Sequence, residues 1–312
     1  MKIMKIEDRI RSGKPTILDG AMGTELDRRG VPLDVVAWSA RAMEIHPHVV
    51  REVHADYARA GADLHIVNSF ATCRYVLEGA GLADKVESYN RLAVDLCKEA
   101  IGEVDNGREQ WIAGSISTYA ESSDRSRLPV LTQLRKDYHE QAMILADAGV
   151  DMFALEMLFD VDVSVAALEA TVAIGLPVSI GFTCRFGADS ETVETYGPDF
   201  DSGAKLLLED VLRPVLAAVP SGTDSIVAIM HSEFDVTDKA LEIVNDLWNG
   251  PIAVYPNSGL YEKPHWRFDT VCDPDAFVKA AHRWWQNGVS IVGGCCGIGP
   301  DHIRALAKRL SL

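Results

Sequence analysis

From Ile291 the chain reads IVGGCCGIGPDHIRAL, two glycines leading into the adjacent Cys295 and Cys296. Neighbouring side chains of a regular strand point to opposite faces. Backbone bent at the glycines can instead turn both sulfurs toward one point, and paired thiolates suit zinc. Taken by itself the doublet equally fits two buried apolar cysteines or a strained disulfide. At the other end, LDGAMGTEL from Leu18 ends a β-rich run in an acid and enters a glycine-rich turn. Gly20 and Gly23 let backbone approach a ligand, so exposed N–H groups there can hold a carboxylate while Asp19 faces an ammonium; a plain Asp-Gly turn is the simpler alternative. Glu156 directly follows the apolar run MFAL. It is either the acid ending a buried strand or one half of a surface ion pair. Two acids from separate strands can share one ammonium group.

These residues need elements that carry them to one place. Short β-rich runs alternate with longer segments of helical period, the signature of parallel βα units. Strands are predicted at Thr16 to Leu18, Asp63 to Val67, Trp111 to Gly114, Met152 to Leu155, Val178 to Phe182, Ser225 to Met230, Ile252 to Tyr255 and Ser290 to Val292. Helices are predicted at His48 to Ala60, Asp84 to Ile101, Thr132 to Ala148, Asp162 to Ile174, Gly203 to Val219, Asp238 to Trp248, Asp273 to Asn287 and Pro300 to Leu310. A weak repeat, ARAGADLHIVN from Ala58, ADAGVDMFALE from Ala146 and QNGVSIVGG from Gln286, ends each helix at a glycine suited to a left-handed cap. Eight such units predict an α/β fold, a single-domain (β/α)8 TIM barrel over residues 1 to 312, with the long loops at Ser117 to Leu131, Arg185 to Ser202 and Asn257 to Asp273 at its C-terminal mouth.

The composition, 47% hydrophobic and 24% charged residues, is that of a folded globular chain. A formal net charge of -16 and the absence of a basic stripe argue against nucleic acid and anionic membrane as partners. The N-terminus MKIMKIEDRIRSGK has no signal-like apolar stretch. A cytoplasmic protein is expected, and its six cysteines suit a reducing compartment, with catalytic, metal or buried roles.

LDGAMGTEL, ALEML, the string VYPNSG from Val254 and GGCCGIGPDHI together resemble the homocysteine S-methyltransferase family, over Thr16 to Leu310. The resemblance implies that Asp19 and Glu156 hold the amino group of homocysteine, that backbone near Gly20 and Ala21 receives its carboxylate, and that Cys295 and Cys296 bind zinc. Asn68, just after the second strand, is placed in the same substrate pocket. The family's third zinc cysteine, preceded by Asn, follows the sixth strand. Here AIMHSEFD places His231 at the Asn and Ser232 at the Cys position. Either zinc is lost, with His231 a catalytic base oriented by Glu233, or His231 completes a Cys2His site. Cys184 and Cys73 are further candidate donors, and Cys97 a core residue.

The family's sulfonium or quaternary ammonium donors favour aromatic faces, which Tyr75, Tyr119, Phe159, Tyr196, Tyr255, Tyr261 and Trp266 could offer. The implied reaction is methyl transfer to homocysteine, giving methionine, with Glu156 and His231 in catalytic roles. The alternatives are a methyltransferase without zinc acting on another thiol or donor, and a non-catalytic barrel that binds an amino acid.

Overall fold

The computed structural model describes residues 4–104, 107–119, 128–196, 206–262 and 265–310. Its parallel strands are β1 (Thr16–Ile17), β2 (Leu64–Ile66), β3 (Trp111–Ser117), β4 (Met152–Leu158) and β5 (Val178–Phe186). The short β6 (Val193–Thr195) and β7 (Leu206–Leu207) are antiparallel additions to β5, and β8 (Ser225–Met230) and β9 (Ile252–Tyr255) return to the parallel sheet. After the hairpin of β10 (Leu260–Glu262) and β11 (His265–Arg267), β12 (Ile291–Val292) completes the set. The spatial order is β1-β12-β9-β8-β5-β4-β3-β2. A parallel bridge from Leu18 to Leu64 brings the two ends together, with the Asp19 amide donating to the Leu64 carbonyl at 2.9 Å. The eight parallel strands thus form a nearly closed (β/α)8 barrel, as expected.

Alternation along the strands builds two cores. Leu18, Leu64, Ala113, Met152, Ala154, Ala228, Met230, Ala253 and Ile291 pack together inside the barrel. Their neighbours, among them Ile17, Phe153, Leu155, Val227, Ile229, Val254 and Val292, face the helices. The helix α1 (Ile6–Arg11) puts Ile6 and Ile10 into the inner cluster, away from the mouth at the strands' C-terminal ends. Outside lie α2 (Met22–Arg28), α3 (Ala42–Ile45), α4 (Pro47–Ala60), α5 (Arg74–Gly79), α6 (Val86–Gly102), α7 (Leu131–Ala148), α8 (Val161–Val172), α9 (Leu208–Ala217), α10 (Phe234–Leu247), α11 (Pro274–Gln286) and α12 (Pro300–Leu310). The three repeat glycines take the expected left-handed conformation, with φ of 102° at Gly61, 89° at Gly149 and 89° at Gly288.

Four short helices, α1, α2, α3 and α5, were not expected; most other differences fall at the ends of elements. The helix α10 begins at Phe234, four residues before the predicted Asp238, because Glu233 leaves the strand extended and serves as its N-cap. The predicted start at Gly203 lies outside the described residues; Leu206 and Leu207 are strand and α9 begins at Leu208. The expected loop from Arg185 instead continues β5 and turns back as β6, while residues 197–205 lie outside the description. Residues 120–127 of the loop after β3 do so as well. The loop from Asn257 contains the β10–β11 hairpin. Among the described residues, no helix is long and apolar enough to cross a membrane.

Candidate active site

The thiol pair stands where β12 ends. Gly293 lets that strand close on β1, since a Cβ there would lie 2.5 Å from the Leu18 Cβ and 2.6 Å from the Asp19 carbonyl oxygen. The turn continues through Gly297, whose φ is 83° and whose Cβ would meet the Ser258 carbonyl. Both sulfurs thereby come to one side, 4.0 Å apart and partly exposed.

His231 meets them from the end of β8. Met230 packs inside the barrel, so simple alternation would send His231 outward and Ser232 inward. The backbone at His231 instead has a φ of 45°. Its carbonyl accepts hydrogen bonds from Tyr196 Oη at 2.7 Å and Thr183 Oγ1 at 3.1 Å, and its amide donates to Tyr255 at 3.1 Å. So held, the imidazole Nδ1 lies 3.4 Å from Cys295 Sγ. Ser232 goes the other way: its hydroxyl donates to the Met230 carbonyl at 2.8 Å and accepts from the Cys184 amide at 2.9 Å. The Ser232 hydroxyl is therefore committed outside the cluster.

His231, Cys295 and Cys296 place their ligand atoms all within 4.8 Å of one another. Tetrahedral zinc with ordinary bond lengths needs S···S near ~3.8 Å and S···N near ~3.6 Å. The observed 4.0 Å and 3.4 Å lie near two of those edges, and the third, from His231 to Cys296, is within 4.8 Å. The donor set is therefore compatible with a Cys2His zinc site that leaves one position for a substrate thiol. Burial presses the His231 imidazole down, but the neighbouring Cys295 and the charge of Glu156 bring it up on balance. The Cys295 thiol is held well above its ordinary value by its contact with Cys296 and by burial, opposed by His231. A metal removes that penalty by neutralising the two thiolates.

Glu156 reaches the same cavity through a bulge. The β4–β5 register shifts between Leu155 and Leu158, and Met157 there has a φ of 60°. Glu156 and Met157 can then both face inward, whereas a regular strand would turn one away; Met157 indeed packs in the inner cluster. Ser115 Oγ donates to Glu156 Oε2. Burial pushes the Glu156 carboxyl up to about 7, against the opposing pull of Ser115, Tyr255 and His231. The Tyr255 hydroxyl stands beside it without a well-formed hydrogen bond. Asp19 is also buried, and burial drives its carboxyl well above the usual range; the Ile66 amide, at 3.1 Å from Oδ2, opposes this and Glu156 reinforces it.

Other expected site residues are occupied elsewhere. The Ala21 amide, expected near a substrate carboxylate, already donates to the Ile298 carbonyl at 3.1 Å. Gly20 is packed beneath the same carbonyl, which a Cβ would approach to 2.3 Å. Asn68 is tied to Ser39 through both ends of its amide. Cys184 and Cys73 are buried and do not join the three-ligand cluster, and Cys97 is core as expected. Glu233 is exposed at the start of α10; the carboxylate whose charge reaches His231 is Glu156. Of the named aromatics, Tyr196 and Tyr255 touch the site, while Tyr261 stacks on Trp266 in the β10–β11 hairpin. Sequence reasoning missed Ser115, Thr183, Met157 and Phe70, which packs against the inner cluster. A serine two residues before a strand end carries no motif, and a bulge leaves no trace in composition.

The profile of the homocysteine S-methyltransferase family matches residues 16–310. The chain is 29% identical to the selenocysteine methyltransferase of Astragalus bisulcatus, over 96% of this chain and 94% of that one. It is 27% identical to homocysteine S-methyltransferase 4 of Zea mays, covering 95% and 90%. Among solved structures, the metallated form of the homocysteine methyltransferase MmuM from Escherichia coli superposes with a TM-score of 0.75 at 27% identity, covering 95% and 96% of the two chains. With a match spanning nearly the whole barrel and the cysteine pair, the imidazole and the two acids gathered at its mouth, the chain belongs to the homocysteine S-methyltransferase family.

Proposed function

We propose that this methyltransferase moves a methyl group from a small sulfonium or quaternary ammonium donor to the thiol of homocysteine, giving methionine, at a zinc site formed by Cys295, Cys296 and His231. The observation that carries the zinc assignment is the spacing of those three ligand atoms, with Ser232 turned away. Bound there, zinc would keep the substrate sulfur as thiolate near neutral pH, the form that attacks a methyl carbon. Asp19 and Glu156 take the ammonium of the amino acid, and Ser115 orients Glu156. Phe70 offers an aromatic face to a cationic donor, whereas the Tyr196 ring already has the Arg185 guanidinium over it. His231 serves as a ligand in this reading rather than as a free base. The six unpaired cysteines agree with a reducing, cytoplasmic setting.

The test is methionine formation by freshly purified, reduced protein from homocysteine and a panel of sulfonium and quaternary ammonium donors, with zinc content measured in parallel. About one zinc per chain and turnover with at least one donor are expected. Thiol methylation by a zinc-free protein would return His231 to the role of base. The names of the selenocysteine methyltransferase relatives make a selenol amino acid the second acceptor to assay.

A further inference from the structure

Three sequence motifs meet at one peptide group beside the thiol pair: Thr24 of LDGAMGTEL, Ser258 of VYPNSG and Gly297 of GGCCGIGPDHI. The Ile298 amide donates to the Cys295 carbonyl at 3.0 Å, which closes a β-turn with Cys296 and Gly297 at its centre. Gly297 has a φ of 83°, the positive value of a type II turn. The commoner type I turn differs by reversal of the central peptide, which would swing ψ at the Cys296 position by about 150°. That angle governs which rotamers are open to the Cys296 sulfur. A glycine in the next position adapts to either turn, so the bonds around the peptide select its orientation.

Both ends of that peptide are bonded. The Cys296 carbonyl accepts from the Ser258 amide at 2.9 Å, and the buried Gly297 amide donates to Thr24 Oγ1 at 3.1 Å. An amide N–H only donates, so Ser258 requires the carbonyl to point its way. Ser258 is itself braced: its carbonyl accepts from Trp266 Nε1 at 2.9 Å and its hydroxyl from the Cys272 amide at 2.9 Å. Trp266 lies on β11, which Asp27 ties to α2 by accepting from the Trp266 amide at 3.2 Å and standing 3.0 Å from His265 Nδ1. The helix α2 thus reaches the turn directly through Thr24 and indirectly through Asp27 and the hairpin. We propose that Thr24 and Ser258 clamp the peptide between Cys296 and Gly297, that Trp266 braces Ser258, and that the three are positioning residues for Cys296 as a metal ligand. Cys295 is held separately, since its own amide donates to the Pro256 carbonyl at 2.8 Å and the Gly294 amide donates to the Asp19 carbonyl at 2.9 Å. Without the Thr24 hydroxyl, the Gly297 N–H is buried with no acceptor, and the turn has to loosen around Cys296 to satisfy it.

This inference rests on reading Cys296 as a zinc ligand, so its test is made with and without metal. In the metal-free, reduced protein, hydrogen exchange of the Gly297 amide is expected to quicken by about tenfold or more in Thr24→Val, while the Cys295 amide keeps its rate. Zinc affinity, from competition with a chromophoric chelator, should fall about fivefold. The thiolate charge-transfer bands of the cobalt-substituted protein should lose intensity. Thr24→Ser, which keeps the oxygen, should restore the exchange rate, the affinity and the bands. Trp266→Phe approaches the peptide from its other side: it frees the Ser258 carbonyl and should quicken exchange of the Ser258 amide and weaken zinc, which keeps the test decisive if Thr24→Val does not fold. An unchanged Gly297 rate in Thr24→Val would overturn the clamp. Faster exchange with wild-type zinc affinity and cobalt bands would overturn its positioning role. A wild-type protein that binds neither zinc nor cobalt would instead overturn the ligand reading of Cys296, with the exchange rates still deciding whether the clamp exists.

Discussion

A left-handed histidine costs roughly 1 to 2 kcal/mol relative to ordinary backbone, and His231 adopts it because two hydroxyls grip its carbonyl. That single dihedral decides which of two neighbours meets the cysteines. If the proposed Cys2His site holds zinc, His231→Ala is expected to release it, whereas Ser232→Ala retains it, as read by zinc content after dialysis. Ser232→Cys should leave zinc affinity nearly unchanged, because the side chain at that position is directed to the Cys184 amide; a tenfold tighter site would mean that the β8 turn rearranges to present the new thiol. At the acids, Asp19→Asn and Glu156→Gln should each weaken amino-acid binding by about 1.5 to 3 kcal/mol, the worth of a hydrogen bond to a charged group. Calorimetric affinities that match wild type in both variants would place the ammonium elsewhere.

At the scale of elements, the site depends on irregularities in otherwise regular strands. The bulge in β4 allows Glu156 and Met157 to face the cavity together, and the continuation of β5 into β6 carries Tyr196 back over the end of β8. The β5–β6 hairpin thus helps hold the His231 backbone through Tyr196. Tyr196→Phe removes one of the two hydrogen bonds to the His231 carbonyl and should lower metal affinity by about 1 kcal/mol, roughly fivefold. In the cobalt-substituted protein its thiolate charge-transfer bands should persist while the ligand-field bands shift as the imidazole loosens. An unchanged spectrum and affinity would show that Thr183 alone is sufficient.

Across the whole molecule, barrel closure concentrates buried acids near one end, and their titration couples to folding. The Glu156 carboxyl stands at about 7 in the fold, above its ordinary 4.5. The folded protein therefore binds this proton more tightly than the unfolded chain does. Its contribution is fully present below pH 4.5 and is lost as pH rises through 7. Ionising it in the fold costs about 3 kcal/mol on this basis. Metal-free wild type should lose urea resistance across that window relative to Glu156→Gln, in which the group cannot ionise. Parallel pH profiles for the two proteins would show that Glu156 is not held in its acid form.

The sequence by itself determined the βα alternation, the left-handed glycine caps at Gly61, Gly149 and Gly288, and the grouping of acids and thiols at strand ends. Those features follow from local periodicity and from backbone preferences that neighbouring residues carry. It also exposed the replacement of a cysteine by Ser232, because a motif is a one-dimensional object. What it left open was whether the His231 side chain reaches the thiol pair, since strand alternation alone would turn it away. Only the tertiary structure decided that, through hydroxyls from Thr183 and Tyr196, 48 and 35 residues away along the chain. The same holds for Ala21 and Asn68, whose polar groups are taken by Ile298 and Ser39. A hydrogen-bonding group's partner depends on what the fold brings within 3 Å of it, and for these residues the partners come from distant parts of the chain.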